Sequence, residues 1–154
     1  MAKIQEGVMK AKGKRFAIVA SRFNDFITKR LLDACLKELK RAGARDSEIT
    51  VLWVPGSFEI PLVALKLAKK KSIDVVICLG AVIKGETLHF DLISRTVTEG
   101  IARAGLESGK PVIFGVLTTY TTKQALKRSE PHGDNKGRDA ARAAVRMANL
   151  FGEI

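Results

Sequence analysis

The fold is decided by the stretch Val75-Val76-Ile77-Cys78-Leu79, which continues as Gly80-Ala81-Val82-Ile83-Lys84-Gly85-Glu86-Thr87-Leu88-His89-Phe90. The first five residues form an unbroken apolar run, which is typical of a strand buried on both faces. From Phe90 onward apolar residues recur at helical spacing, so a helix is predicted to begin beside His89. The two glycines and the histidine would then lie where a strand ends and a helix begins, and ligands bind at that edge of open α/β sheets.

Two properties of this stretch predict that it binds a ligand and moves protons. The N-terminus of a helix presents backbone N–H groups that can bind an anion. A histidine in the first helical turn can take and give protons near neutral pH. The stretch is therefore a candidate site for proton transfer on an anionic ligand.

Three other apolar runs predict strands, at residues 16–20, 49–54 and 112–118. Helical patterns follow the strands, at residues 26–42, 61–71, 90–104, 122–127 and 136–151. We expect Asp25 to cap the first helix and Gly43 to end it. Alternating strands and helices predict a flavodoxin-like three-layer α/β/α sandwich with a four-stranded parallel core sheet. Weak alternation over residues 4–12 predicts an added N-terminal edge strand, in this sheet or in a neighbouring subunit's sheet.

Length and composition narrow the class of protein. A chain of 154 residues is expected to form one domain, over residues 1–154, with a substantial core. No apolar run is long enough to span a bilayer, and the basic N-terminus lacks the apolar centre of a signal peptide, so we expect a cytoplasmic protein. Cys35 and Cys78 lie in apolar patterns without metal-ligand spacing, which predicts two reduced core thiols.

The formal net charge of +11 has three interpretations: nucleic-acid binding, attraction of an anionic substrate, or a Lys/Arg-rich solvated surface. The cations are spread along the chain and are not interleaved with aromatic residues, as they would be on a surface that binds single strands. Nucleic acid is therefore not expected to be the primary partner.

Several blocks that follow the predicted strands match one family in order and spacing. They are Ser21-Arg22-Phe23-Asn24, Val54-Pro55-Gly56-Ser57-Phe58-Glu59-Ile60-Pro61, Gly85-Glu86-Thr87-Leu88-His89-Phe90, Phe114-Gly115-Val116-Leu117-Thr118, Gln124-Ala125 with Arg128, and Asn135-Lys136-Gly137. From the first core strand to the last helix, the chain resembles the 6,7-dimethyl-8-ribityllumazine synthases of riboflavin biosynthesis.

The resemblance implies a transferase that needs no cofactor and no metal. It would condense 5-amino-6-(D-ribitylamino)uracil with 3,4-dihydroxy-2-butanone 4-phosphate. The amine attacks the ketone, phosphate leaves, and the ring closes with loss of water. The resemblance also implies substrate-binding residues, which are Phe23, Asn24, Ser57, Phe58, Glu59, Ala81, Val82, Ile83, Phe114 and Lys136.

The chemistry of these residue types suits such roles. The Phe23 ring could stack on a flat pyrimidine, although packing in the core is its plainer role. Backbone N–H groups of residues 57–59 could bond pyrimidine carbonyls, and the Glu59 carboxylate could accept from ribityl hydroxyls. The plainer role of Glu59 is a favourable charge at a helix N-terminus.

The phosphate would be held by Gly85, Glu86 and Thr87, through backbone N–H groups and the threonine hydroxyl, with Arg128 adding a forked contact. His89 would be the catalytic proton carrier. Taken alone, Arg128 is more typical of a surface charge, and the plainer role of Lys136 is that of a surface lysine at a helix end.

Some features depart from the family pattern. They are Lys123 before Gln124, the loop Ser129-Glu130-Pro131-His132-Gly133-Asp134, Asp139 in place of a glutamate, and the high positive charge. These departures bear on loop conformation and assembly more than on the reaction.

The resemblance also implies a homopentamer with active sites between subunits, in which the Phe114, Arg128 and His132 region of one subunit completes a neighbour's pocket. Some members pack pentamers into a 60-subunit icosahedral shell, and association with riboflavin synthase is a further implied partnership. Two alternatives stay open. One is a shell with anionic or nucleic-acid cargo and little catalysis, and the other is a flavodoxin-like binder of flavin or another phosphate-bearing ligand.

Overall fold

The computed structural model describes residues Met1–Ile154. Its strands are β1 (Phe16–Ser21), β2 (Ile49–Val54), β3 (Val75–Ile83) and β4 (Val112–Thr119). Its helices are α1 (Asp25–Arg41), α2 (Ile60–Ala68), α3 (His89–Ser108), α4 (Thr122–Lys127) and α5 (Lys136–Glu153). Two short 3₁₀ turns, Asp46–Glu48 and Ser57–Glu59, precede β2 and α2.

The four strands form one parallel sheet in the order β2-β1-β3-β4. β1 is central, and Phe16 pairs with Ile49 of β2 on one side and with Val75 of β3 on the other. The strand order therefore reverses between β1 and β3, and such a switch point opens a crevice beyond the carboxyl ends of the strands. The predicted flavodoxin-like α/β fold with four parallel strands is confirmed.

Two apolar cores lie on the two faces of the sheet, because successive side chains of a strand point to opposite faces. Phe16 and Ile18 belong to the core under α1 and α5, whereas Ala17 and Val19 belong to the core under α2 and α3. β1 is buried on both faces, which explains its unbroken apolar run. Each large side chain that is fully buried contributes about 1.5–3 kcal/mol to folding.

The two thiols lie in these cores, one on each face of the sheet. Cys35 and Cys78 are both buried and unpaired, as predicted. Burial raises the pKa of the Cys35 thiol to about 12 and raises the pKa of Cys78 even more, because loss of water disfavours the thiolate.

β3 is longer than the sequence pattern predicted. It continues through Gly80 to Ile83 rather than ending at Leu79, because these residues pair with Val116–Thr119 of β4. Gly80 is therefore a strand residue and not part of the strand–helix turn. A side chain at Gly80 would meet the hydroxyl of Ser21 at 2.6 Å and that of Ser57 at 2.9 Å. The pairing with β1 ends at Leu79, so β3 extends beyond its inner neighbour.

The start of α1 also differs from the prediction. Asn24, and not Asp25, is the N-cap residue, and its side chain makes no capping hydrogen bond to the helix. Asp25 is instead the first helical residue, where its charge favours the helix N-terminus. Gly43 follows the end of α1 with a φ of 106°, as expected of the glycine that ends a helix.

The N-terminal segment forms no strand in this sheet, so that part of the edge-strand prediction is wrong. It lies against α5, where the Arg146 guanidinium donates to the Gly7 carbonyl at 3.0 Å and Asn149 Nδ2 donates to the Val8 and Lys10 carbonyls at 2.9 Å. These polar side chains of α5 satisfy the extended backbone without a neighbouring strand.

α2 ends at Ala68, earlier than predicted. The Lys110 ammonium donates to the carbonyls of Lys70 and Ile73, and so satisfies two backbone acceptors in the turn that leads into β3. None of the helices combines the length and the apolar character that crossing a membrane would require.

Candidate functional site

A cavity of about 350 Å³ opens at the carboxyl ends of β1, β2 and β3, which is the switch point of the sheet. We call it the β1–β3 cleft. It is lined by Phe23, Asn24, Pro55, Gly56, Ser57, Phe58, Glu59, Ala81, Val82, Ile83, His89 and Ile93. Phe23 and Phe58 are 69% and 58% exposed, so the rings of both can cover a flat ligand.

Two hydrogen bonds join the three backbone segments that form the cleft. The Phe23 N–H donates to the Pro55 carbonyl at 2.9 Å, and Asn24 Nδ2 donates to the Ala81 carbonyl at 2.9 Å. The loop after β1 is thereby tied to the turn after β2 and to the extended end of β3. The walls of the cleft are therefore held together in the free chain.

The turn at Ser57–Glu59 presents backbone donors to the cleft. The Ser57 and Phe58 N–H groups have no acceptor within the chain, whereas the Glu59 N–H donates to the Gly56 carbonyl at 3.2 Å. The Ser57 hydroxyl is not available, because it is buried against the Ser21 hydroxyl at 3.5 Å. Backbone rather than side-chain groups of Ser57 can therefore meet a ligand.

A second group of free amides lies between β3 and α3. The N–H groups of Gly85, Glu86 and Thr87 donate to no acceptor within the chain, and all three residues are exposed. They precede the 20-residue helix α3, whose dipole favours negative charge at this end. The Glu86 carboxylate forms no ion pair. Successive free amides of this kind suit a phosphate-sized anion.

His89 is the first residue of α3 and lines the β1–β3 cleft. Its backbone N–H donates to the Thr87 hydroxyl at 3.4 Å, while its ring makes no hydrogen bond within the chain. The residue is exposed, lines the same cleft as Phe23 and Phe58, and follows the last of the free amides by two positions. It is thus free to exchange protons with a ligand that spans both.

A second cavity, of about 420 Å³, lies along the outer edge of β4. We call it the β4 cleft. It is lined by residues 113–119 together with Arg128, Lys136, Asp139, Ala140 and Ala143. Phe114 is 45% exposed there, and the Arg128 guanidinium keeps most of its donors free after one bond to the Gln124 carbonyl at 3.2 Å.

Two neighbouring carboxylates stabilise the positive charge of Lys136. Its ammonium lies 3.3 Å from Asp139 and 3.6 Å from Asp134. The hydrogen bond to Asp139 and the negative charges of Asp134 and Asp139 raise the pKa of Lys136. Lys136 therefore remains a cation at the mouth of the β4 cleft.

The structure divides the predicted site residues between the two clefts. Phe23, Asn24, residues 57–59, residues 81–83 and His89 share the β1–β3 cleft. Phe114, Arg128 and Lys136 share the β4 cleft, at the other side of the sheet. No hydrogen bond or ion pair within the chain joins Arg128 to Gly85, Glu86 or Thr87. The predicted residues thus form two separate groups in one chain.

Sequence reasoning missed three contributors to these clefts. Ile93 lines the β1–β3 cleft one turn after His89, and its helical spacing from His89 was the available signal. Asp139 holds Lys136, which its position three residues later could have suggested. The buried Ser21 hydroxyl contacts Ser57, and no local pattern reveals a contact across 36 positions.

The chain contains no group of three or more His, Cys, Asp or Glu residues arranged to hold a metal ion. The polar side chains that line the two clefts are the His89 imidazole, the Asn24 amide, the Glu59 and Asp139 carboxylates, the cations of Arg128 and Lys136, and several hydroxyls. Free backbone amides lie beside them. These groups suit an anionic, hydrogen-bonding organic ligand.

The fold and the clefts define an α/β protein with a candidate site at the carboxyl edge of a parallel sheet. A family model described as 6,7-dimethyl-8-ribityllumazine synthase matches residues 13–152. A curated protein of that name from Desulfotalea psychrophila is 56% identical over 145 residues, covering 94% of each chain. Another of the same name, from Clostridium kluyveri, is 50% identical over 152 residues and covers 99% of each chain. The chain belongs to the 6,7-dimethyl-8-ribityllumazine synthase family.

Proposed function

We propose that this chain condenses 5-amino-6-(D-ribitylamino)uracil with 3,4-dihydroxy-2-butanone 4-phosphate, releasing phosphate and water, in riboflavin biosynthesis. Family membership supports this reaction. The observation that carries it is that His89 lines an aromatic cleft and follows, at the start of α3, a segment with three consecutive free amides. Such a site can hold a heterocycle and a phosphate ester side by side, with a proton carrier between them.

Each half of the reaction has candidate residues. The pyrimidine would lie against Phe23 and Phe58, with its carbonyls accepting from the Ser57 and Phe58 N–H groups. The phosphate would accept from the amides of residues 85–87 and from the Thr87 hydroxyl. His89 would take a proton from the attacking amine and return protons as phosphate and water leave.

The split between the two clefts leads us to propose a shared site. A cyclic head-to-tail assembly places one surface of each subunit against a different surface of the next. The β4 cleft of one subunit would then bring Phe114, Arg128 and Lys136 to the β1–β3 cleft of its neighbour. Arg128 would complete the phosphate site with a bidentate contact. The family resemblance makes a homopentamer the assembly to expect.

The reaction is tested by following lumazine absorbance in a mixture of the two substrates, with no cofactor or metal added and a chelator present. Formation of the lumazine with release of inorganic phosphate would support the proposal. A folded, assembled protein that forms no product would contradict it and would favour a shell or ligand-binding role.

The shared site is tested by mixing two inactive variants. His89→Ala damages the β1–β3 cleft, and Arg128→Ala damages the β4 cleft. In an assembly formed at random from equal amounts of the two, about one quarter of the intersubunit sites would be intact, because each half is intact in half of the subunits. We therefore expect activity to return when the two variants are co-expressed or refolded together.

The matched control for this experiment replaces the Arg128→Ala partner by the double variant His89→Ala/Arg128→Ala. That mixture contains the same number of damaged β4 clefts, but every β1–β3 cleft is damaged, so no site is intact and the mixture should stay inactive. If the mixture of the two single variants recovers no more activity than this control, the two clefts do not form a site between subunits, and the shared site is contradicted.

Residues 1–154 would form a single catalytic domain, and the cytoplasm is the compartment to expect for a chain with two unpaired thiols. Whether pentamers assemble further into a 60-subunit shell is read from the sedimentation coefficient. A pentamer and a shell differ twelvefold in mass, so one velocity run separates them. Co-sedimentation with riboflavin synthase tests the proposed partnership.

A further inference from the structure

Asn24 has an unusual backbone conformation in this chain. Its φ of 58° and ψ of 39° are left-handed, and it is the only non-glycine residue with a positive φ. Asparagine adopts this conformation more readily than most residues, but it is still sparsely populated. Strained conformations of this kind persist where surrounding contacts hold them, and they concentrate at functional sites.

The contact that holds Asn24 is its own side chain. Nδ2 donates to the Ala81 carbonyl at 2.9 Å, across 57 positions of sequence. Ala81 lies beyond the end of the β1 pairing, which stops at Leu79, so its carbonyl has no partner from a neighbouring β1 residue. The Asn24 side-chain amide therefore makes the hydrogen bond to this carbonyl that a further residue of β1 would otherwise make.

The same residue sets the position of Phe23. The Phe23 N–H is fixed by the Pro55 carbonyl, and the residue after it is fixed by the Ala81 carbonyl. The left-handed turn at Asn24 separates β1 from α1, and its carbonyl accepts from the Ile27 N–H at 3.0 Å. The backbone at Phe23 is therefore fixed by hydrogen bonds on both sides, while the residue itself stays 69% exposed and lines the cleft.

We infer that Asn24 is a positioning residue for the heterocyclic substrate rather than a group that contacts it. Its side-chain amide fixes the distance between the Phe23 ring and the edge of β3, which are two walls of the β1–β3 cleft. This inference rests on the proposed function, because it assigns that cleft to the pyrimidine and the amides of residues 85–87 to the phosphate ester.

The test compares the effect of Asn24 variants on the KM values for the two substrates. Asn24→Asp keeps the size of the side chain and tolerates the left-handed backbone, but it places a carboxylate oxygen against the Ala81 carbonyl. We expect the KM for the pyrimidine to rise by about three- to tenfold, as for the loss of one hydrogen bond. The KM for the phosphate-bearing substrate should change by less than about twofold, because its amides lie after β3 and do not depend on this bond.

Two further variants make the result specific. Asn24→Gly tolerates the left-handed backbone and removes the side-chain amide with its bond to Ala81, so it should show the same split and serves if Asn24→Asp does not fold. Asn149→Asp is the matched control, because Asn149 Nδ2 also donates to backbone carbonyls, those of Val8, Lys10 and Val145, but far from the cleft. It can lower the melting temperature but should leave both KM values unchanged.

The possible outcomes distinguish the inference from the proposed function. An unchanged pyrimidine KM in Asn24→Gly, or an equal rise in both KM values, would overturn the positioning role. Absence of turnover in the wild-type chain would instead contradict the proposed reaction. In that case, titration of the pyrimidine against the fluorescence of Trp53, the single tryptophan, compares binding to wild type and Asn24→Gly without any turnover.

Discussion

The Arg22 guanidinium lies over the ring of Trp53, with its central carbon 4.0 Å from the ring centroid. This cation–π contact joins the loop after β1 to the edge strand β2. Arg22 directly precedes Phe23 of the β1–β3 cleft, and its backbone N–H donates to the Val54 carbonyl at 2.8 Å. The single tryptophan of the chain therefore reports on the loop that forms one wall of the cleft.

Arg22→Gln should uncover one face of the Trp53 ring. We expect the tryptophan emission to shift to longer wavelength, and the free energy of unfolding to fall by about 0.5–1 kcal/mol, which is typical of an exposed cation–π pair. Fluorescence spectra and urea unfolding measure both effects. Lys29→Gln, which removes a cation from the exposed surface of α1, is the control and should leave the emission unchanged. An unshifted spectrum for Arg22→Gln would mean that the contact is not maintained in solution.

His89→Ala should lower kcat by about 10²- to 10⁴-fold, the range expected for loss of a general acid–base group. Because the His89 ring makes no hydrogen bond within the chain, its removal should leave the melting temperature and the sedimentation coefficient close to wild type. Steady-state kinetics and a velocity run provide the comparison. Wild-type turnover by this variant would remove His89 from the proton-transfer role.

Gly137→Ala should disrupt the packing of α5 on α1. A methyl group at this position would collide with the backbone carbonyl of Leu31, and neither helix can yield easily because both cover the same core. Overpacking of this kind costs about 1–3 kcal/mol, so the melting temperature should fall. Thermal unfolding followed by circular dichroism measures the change.

Gly152→Ala is the matched control for that substitution. It lies near the end of the same helix, and its added methyl group would only approach the Lys14 ammonium at 3.6 Å. Since alanine is a better helix former than glycine, the melting temperature should stay the same or rise. Equal losses in both variants would contradict the assignment, because they would show that the contact with Leu31 does not determine the effect.

Glu48 should make stability depend on acid pH. Its carboxylate accepts from the Arg45 guanidinium at 2.8 Å, from the Arg45 backbone N–H at 2.8 Å and from the Gly13 backbone N–H at 3.0 Å. The side-chain hydrogen bond to Arg45 is the main reason that the pKa of Glu48 falls from 4.5 to about 2. Because the unfolded chain takes up the proton first, the stabilisation is complete above about pH 4.5 and is lost as the pH falls toward 2.

Melting temperatures of wild type and Glu48→Gln between pH 7 and pH 2.5 test this dependence. The wild type should be more stable at pH 7, and the difference should narrow steadily below about pH 4.5, the pKa of the unfolded group. Asp46→Asn, in the same 3₁₀ turn but with an exposed carboxylate, is the control and should show a much smaller difference. A constant difference for Glu48→Gln across the pH range would contradict the assignment.

Local patterns in the sequence predicted much of the fold. The bounds of β2 and α4 agree with the apolar run at residues 49–54 and with the helical pattern at residues 122–127. Both depend mainly on alternation, caps and turns within a few residues. The predicted end of β3 and the predicted N-cap of α1 were wrong. The last residues of β3 pair with β4, and the side chain of the actual N-cap residue, Asn24, donates to the Ala81 carbonyl. Such endings depend on partners distant in sequence.

The sequence by itself determined the class of fold, the two buried thiols and the identity of the candidate site residues. Periodicity and motif spacing are properties of the chain alone, so they can be read without coordinates. Only the tertiary structure decided how these residues are divided, with His89 in the β1–β3 cleft and Arg128 in the β4 cleft. The strand order β2-β1-β3-β4 places the two clefts on different sides of the sheet, and that order follows from crossovers and packing rather than from any local pattern.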